Sequence, residues 1–92
     1  MDLVKAQSIA DKYLVELEKN CGVRLAFNPE VVEEHAVGFV FFYNAKEYWE
    51  TRNFMHSLAG NGPILVRRTD GQIIELTSNQ SVARSLAQLT GS

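Results

Sequence analysis

The spacing of apolar residues predicts a helix at each end of the chain. Over residues 2–20 they recur every three or four positions with charged residues between them, which is the pattern of an amphipathic helix. Asp2 is suited to cap its start, and Gly22 offers the left-handed conformation in which helices commonly end. Near the other terminus, Ser78 or Asn79 is expected to cap a second helix whose apolar positions again share one face.

Four strands are predicted between these helices. They are expected at residues 23–27, 34–43, 64–68 and 72–77. The first is expected to end at Asn28-Pro29, and Asp70-Gly71 is typical of the hairpin turn that joins the last two. Residues 44–55 are predicted to be irregular or to form a short helical turn.

The order α-β-β-β-β-α predicts an α+β fold in a single domain over residues 1–92. Its four-stranded antiparallel sheet is flanked by an N-terminal and a C-terminal helix, and we expect both helices on one face. The second strand carries apolar side chains in both directions: Val37, Phe39, Phe41 and Tyr43 on one side, Val40 and Phe42 on the other. A surplus apolar face is therefore expected, to be covered by the segment between the second and third strands, by a second copy in a homodimer, or by a partner.

Acidic and aromatic residues concentrate in the middle of the chain. Between residues 28 and 51, five glutamates against one lysine give a local charge of −4, and six of the nine aromatic residues fall within residues 39–49. This segment is either a docking face for a basic partner or a solvated edge that keeps the sheet soluble. The predicted partner-binding residues are Glu33, Glu34, Glu47, Tyr48, Trp49 and Glu50. Trp49 is expected either to anchor the partner or to pack over the protein's own sheet.

Composition argues against several classes of protein. A net charge of −2 without a basic cluster argues against nucleic-acid binding. No apolar run is long enough to span a bilayer, and the N-terminus lacks the pattern of a signal peptide. A single cysteine, Cys21, fits a reducing compartment. These features predict a cytoplasmic protein.

The residues that carry chemistry do not form a catalytic or metal-binding set. Cys21 and His35 are a nominal nucleophile and base, but Cys21 is predicted at the C-terminal end of a helix, where the dipole disfavours a thiolate. A half-buried core cysteine is the favoured interpretation. Glu33 and His35 supply two metal ligands where zinc needs three or four. We therefore expect no enzyme activity, no metal and no cofactor.

Three spaced motifs carry a family resemblance. They are GFVFFYN at residues 38–44, EYWET at 47–51 and LAGNGP at 58–63, followed by Val66 and by TDG at 69–71. With these motifs, residues 36–78 resemble the YrhB-like family, immunity protein 35, of bacterial polymorphic toxin systems. Phe39 stands where the family usually has tryptophan, and Trp49 is less typical of its position.

The resemblance implies a cytoplasmic antidote that binds and neutralises a cognate toxin by stoichiometric occlusion. It leaves the toxin open, with papain-like deamidases among the candidates, and it supplies no catalytic residues. The alternative is a chaperone-like or stress-related small binding protein that uses the apolar sheet face. A toxin gene in the adjacent reading frame would favour the first function.

Overall fold

The computed structural model describes residues 1–57, 62–77 and 81–89. The elements in chain order are α1 (Leu3–Cys21), β1 (Leu25–Glu34), β2 (Gly38–Ala45), α2 (Lys46–Thr51), a 3₁₀ turn (Phe54–His56), β3 (Ile64–Arg67), β4 (Ile73–Glu75) and α3 (Val82–Leu89). The predicted α+β class is confirmed, as are the terminal helices and the four strands between them. Of the segment for which the pattern predicted either an irregular chain or a helical turn, Asn44 and Ala45 belong to β2, and short helical structure occupies most of the rest.

Both predicted caps of α1 are present. The Asp2 carboxylate accepts a hydrogen bond from the backbone N–H of Lys5 at 2.9 Å. Gly22 adopts the left-handed conformation, with φ of 71°, and its N–H donates to the Glu18 carbonyl at 2.9 Å. At the other terminus, the Ser81 hydroxyl accepts from the N–H of Arg84 at 3.2 Å. The predicted caps Ser78 and Asn79 lie outside the described residues.

The strands form one antiparallel sheet in the order β1-β2-β3-β4. The two central strands hold the most buried side chains, with Phe41 of β2 directly opposite Ile64 of β3. Gly38 lets these strands approach closely, because a Cβ atom there would lie 2.1 Å from the Val66 carbonyl oxygen. β1 and β4 are the edges, and β4 is only three residues long.

β1 does not end at Asn28-Pro29, so that predicted boundary is wrong. The strand passes through a bulge between Phe27 and Val32 and continues to Glu34. The Asn28 side chain accepts from the N–H of Glu30 at 2.9 Å, a local turn that displaces the chain without ending the strand. Consequently residue 34 belongs to β1, and β2 starts at Gly38 rather than at residue 34.

The two terminal helices lie on opposite faces of the sheet, so the predicted single-face arrangement is wrong. On one face, α1 contributes buried residues to a cluster of Ala6, Ala10, Phe39, Phe41, Ile64 and Val66. On the other face, α3 contributes Leu86 to a cluster with Val40, Leu65 and Leu76. Val37 packs with this second cluster and not, as expected, with Phe39. Since β2 and β3 are apolar on both sides, each face needs its own cover. The apolar face that was expected to be surplus is thus packed against α3.

A polar contact ties α1 to the short edge strand. The Tyr13 hydroxyl donates a hydrogen bond to the Glu75 carboxylate of β4. Burial and then this bond to Glu75 raise the pKa of Tyr13 well above its usual value of about 10. Within the described ranges, no helix is long and apolar enough to cross a membrane.

Candidate partner-binding surface

The six predicted partner-binding residues fall into two groups at opposite ends of β1. Glu47, Tyr48, Trp49 and Glu50 lie on α2, which begins where Ala45 pairs with Leu25 at the start of β1. Glu33 and Glu34 lie at the end of β1, and Glu34 pairs with Phe39. Six steps along β2 separate these two pairings, which corresponds to about 20 Å. The structure therefore does not bring the six residues together into one continuous acidic patch.

Trp49 is fixed against the protein's own edge strand. Its indole N–H donates to the Ala26 carbonyl of β1 at 2.7 Å. Its ring meets the Tyr48 ring edge-on, with 5.1 Å between centroids. Both rings are half-buried. Trp49 thus forms the base of α2 and leaves the outer side of this helix to its charged residues.

Arg52 closes α2 in a conformation that usually belongs to glycine. Its φ is 55° and ψ 19°, and a side chain in this region costs about 1 kcal/mol or more. The guanidinium lies 5.2 Å from the centroid of the Trp49 ring and donates to Glu30 in the β1 bulge at 3.0 Å. These two contacts offset the backbone cost and hold α2 against β1.

A cleft of about 610 Å³ opens beside α2, where α1 passes into β1. Its lining residues are Gly22, Val23, Arg24, Ala45, Lys46, Glu47, Glu50 and His56. The N–H of Lys46 donates to the Arg24 carbonyl at 2.9 Å and joins the two walls. Two cations and two carboxylates line this cleft, so its charge is balanced rather than acidic. The Thr51 hydroxyl and the His56 ring, 2.9 Å apart, connect α2 to the 3₁₀ turn.

Met55 on the 3₁₀ turn is the most exposed large apolar side chain among the described residues, at 86%. The turn that presents it is ordered by Asn53, whose side chain accepts from the N–H of Met55 at 2.9 Å. The Asn53 carbonyl also accepts from the N–H of His56 at 2.9 Å. Sequence reasoning did not identify Met55, because a single methionine in a polar segment carries no periodic signal. We call residues 46–56, which comprise α2 and this turn, the ridge.

The second acidic group is paired within the protein. Glu33 lies 2.9 Å from the His35 ring, and the guanidinium of Arg68 donates to Glu34 at 3.1 Å. Arg68 also lies 4.8 Å from the centroid of the Phe39 ring and donates to the His35 carbonyl at 2.8 Å. Arg68 therefore fixes the end of the β1–β2 hairpin and offsets part of its negative charge.

The nominal catalytic and metal residues are not assembled. Cys21 is exposed, which corrects the expectation of a half-buried core cysteine. It is the last residue of α1, whereas His35 lies beyond the far end of β1 and faces Glu33. No group of three or more potential metal ligands occurs among the described residues.

The comparisons with known proteins bear on this arrangement. A family model described as immunity protein 35 matches residues 4–88, from the first turn of α1 to the last turn of α3. No curated protein and no solved structure matches the chain. The family match spans nearly the whole sequence and includes both terminal helices, which the motifs in the middle of the chain covered only loosely. The chain belongs to the immunity protein 35 family.

Proposed function

We propose that this protein binds a cognate toxin and neutralises it by stoichiometric occlusion, without turnover of its own. Membership of an immunity protein family is the observation that carries this proposal. The exposed position of Cys21, far along β1 from His35, fits a role in binding rather than in catalysis. The chaperone-like alternative depended on an uncovered apolar sheet face, and α3 packs against that face.

The ridge is the surface on which we place the toxin. It combines an exposed apolar side chain, Met55, with the exposed carboxylates of Glu47 and Glu50 beside a cleft. Methionine is enriched at the centres of protein interfaces, and rim charges mainly set the association rate. Trp49 and Tyr48 support this surface from below, and Arg52 holds its far end.

The test is co-expression with a toxin domain, taken from the adjacent reading frame where one is encoded there, followed by co-purification. A 1:1 complex and loss of toxin activity are expected, in proportion to the amount of immunity protein. Free toxin beside free immunity protein, or toxin that stays active in the complex, would contradict stoichiometric occlusion.

Charge reversal tests the ridge in the same assay. Glu47→Lys with Glu50→Lys is expected to slow association and to weaken its dependence on salt concentration, because we propose that these two carboxylates steer a basic surface of the toxin. Asp11→Lys with Glu16→Lys on α1 is the matched control, since it changes the net charge by the same amount and both residues are exposed on another element. Equal association rates for this control and for the Glu47 and Glu50 variant would place the toxin elsewhere.

A further inference from the structure

The outer edge of β1 has a closed half and an open half. In the closed half, the outward N–H of Leu25 donates to the Glu18 side chain at 2.8 Å, and α2 packs on this half through the bond from the Trp49 indole N–H to the Ala26 carbonyl. Arg52 reaches across to Glu30 in the bulge. Beyond the bulge this cover ends. Val31, the last residue of the bulge, and Val32, the first paired residue beyond it, are 43% and 37% exposed.

The hydrogen-bond pattern shows which backbone groups the open half presents. His35 and Gly38 exchange both backbone hydrogen bonds across the hairpin, at 2.8 and 3.1 Å. In an antiparallel pair such exchanges alternate, so Glu33 bonds to β2 whereas Val32 and Glu34 direct their N–H and C=O groups outwards. Within residues 1–57, 62–77 and 81–89, these outward groups have no hydrogen-bond partner. An exposed row of this kind is a template for another strand.

We propose that residues 31–34 accept an extended, basic segment of the toxin as a fifth strand of the sheet. This inference rests on the function proposed above and extends its binding surface. The open half begins where Arg52 meets Glu30, so the ridge and the edge form one continuous surface. Main-chain hydrogen bonds at Val32 and Glu34 then add to side-chain contacts on the ridge.

A second copy of this chain fits the edge poorly. Symmetric antiparallel pairing that uses the outward groups of Val32 and Glu34 allows three registers. Two of them place Glu33 opposite Glu33 or Glu34 opposite Glu34, and carboxylates directly opposite each other destabilise a strand pair. The third is centred on Val32 and brings Glu34 against the bulge that carries Glu30, where regular pairing ends. Repulsion between these carboxylates therefore favours a different chain as the partner of the β1 edge.

The same carboxylates favour a strand that carries lysine or arginine. Glu30 and Glu34 remain 73% and 66% exposed, and each uses one carboxylate oxygen for its internal arginine. The other oxygen is available to a basic side chain on the incoming strand. Val32, which precedes Glu34 on the same face of the strand, favours an apolar neighbour there. The fitting segment alternates apolar and basic residues.

Val32→Pro tests the added strand most directly. Proline removes the outward N–H of Val32 and places its ring in the path of an added strand, but it leaves the bonds of Glu33 to β2 intact. Val32→Thr keeps the N–H and nearly the same side-chain shape, so it is the matched control. We expect Val32→Pro to weaken binding of the toxin domain about tenfold or more, and Val32→Thr to leave it nearly unchanged.

Hydrogen exchange on the wild-type protein gives a second measurement, which does not depend on how Val32→Pro folds. Toxin binding is expected to slow exchange of the Val32 and Glu34 amides. The fifth strand is overturned if toxin binding leaves the exchange rates of both amides unchanged, or if a folded Val32→Pro binds the toxin as tightly as wild type. In either case a 1:1 complex of the wild-type chain with the toxin still supports the proposed function. A wild-type chain that fails to bind the toxin overturns both proposals. If the wild-type chain is a dimer and Val32→Pro makes it a monomer, the edge of β1 binds a second copy of this chain. That result also overturns the inference.

Discussion

Phe41 at the centre of the sheet is completely buried, whereas α2 on the ridge has no buried residue. The sheet is held by apolar side chains packed on both of its faces. The ridge is held by a few directed contacts from Trp49 and Arg52 to β1. Substitutions in the sheet should therefore lower stability, and substitutions on the outer side of the ridge should change binding and leave stability nearly intact.

Phe41→Ala tests the sheet most strongly. Removing this fully buried ring is expected to lower the free energy of unfolding by about 3–5 kcal/mol, because the surrounding core cannot collapse onto the cavity. Urea unfolding followed by circular dichroism measures the loss. Glu33→Ala is the control on the neighbouring strand and should cost less than about 1 kcal/mol, since its pair with His35 is partly exposed. Similar midpoints for the two variants would show that the register of β2 is wrong.

Trp49→Phe tests how the base of the ridge is attached. The variant keeps an aromatic ring but loses the indole N–H that donates to Ala26. A cost of about 1 kcal/mol is expected in the same urea experiment. Tyr48→Phe is the matched control and should change stability by less than about 0.5 kcal/mol. If both variants unfold alike, the bond from Trp49 to β1 contributes nothing measurable.

Tyr13→Phe tests the contact between α1 and β4 through its pH dependence. At pH 7 the variant should lose about 1 kcal/mol, because Tyr13 no longer donates to Glu75. The folded state raises the pKa of Tyr13 above its unfolded value of about 10, so this stabilisation is present below pH 10 and is lost as the pH rises further. Urea midpoints at pH 7, 9 and 11 should therefore converge for wild type and variant at the alkaline end. A difference that persists or grows at pH 11 contradicts the assignment.

Short-range signals in the sequence predicted much of the fold. Asp2 and Gly22 act through bonds within one helical turn, so the limits of α1 follow from local chemistry. Gly71 likewise has the positive φ, 73°, that the turn between β3 and β4 was expected to need. The predicted end of β1 at Asn28-Pro29 was wrong, because a local turn there produces a bulge as readily as a strand end. The face taken by α3 depends on contacts between distant residues such as Val40 and Leu86, which periodicity does not encode.

The candidate site was less predictable for the same reason. Charge counts indicated an acidic segment, but Arg68 and Arg24 come from distant positions to offset it. The strand order of the sheet shows that β1 is an edge strand, and the sequence pattern does not give this order. The exposure of Met55 depends on the local turn built by Asn53, for which the sequence pattern gave no signal.

Met55→Asp tests whether the ridge binds the toxin. Met55 is 86% exposed, so the variant should unfold within about 0.5 kcal/mol of wild type. Val4→Asp on α1 is the matched control, because Val4 is 79% exposed and distant in sequence from the ridge. The measurement is the dissociation rate of the toxin complex. If the toxin docks on the ridge, Met55→Asp raises this rate about tenfold or more and Val4→Asp leaves it unchanged. A Met55→Asp complex that dissociates as slowly as wild type would show that the toxin does not dock on Met55.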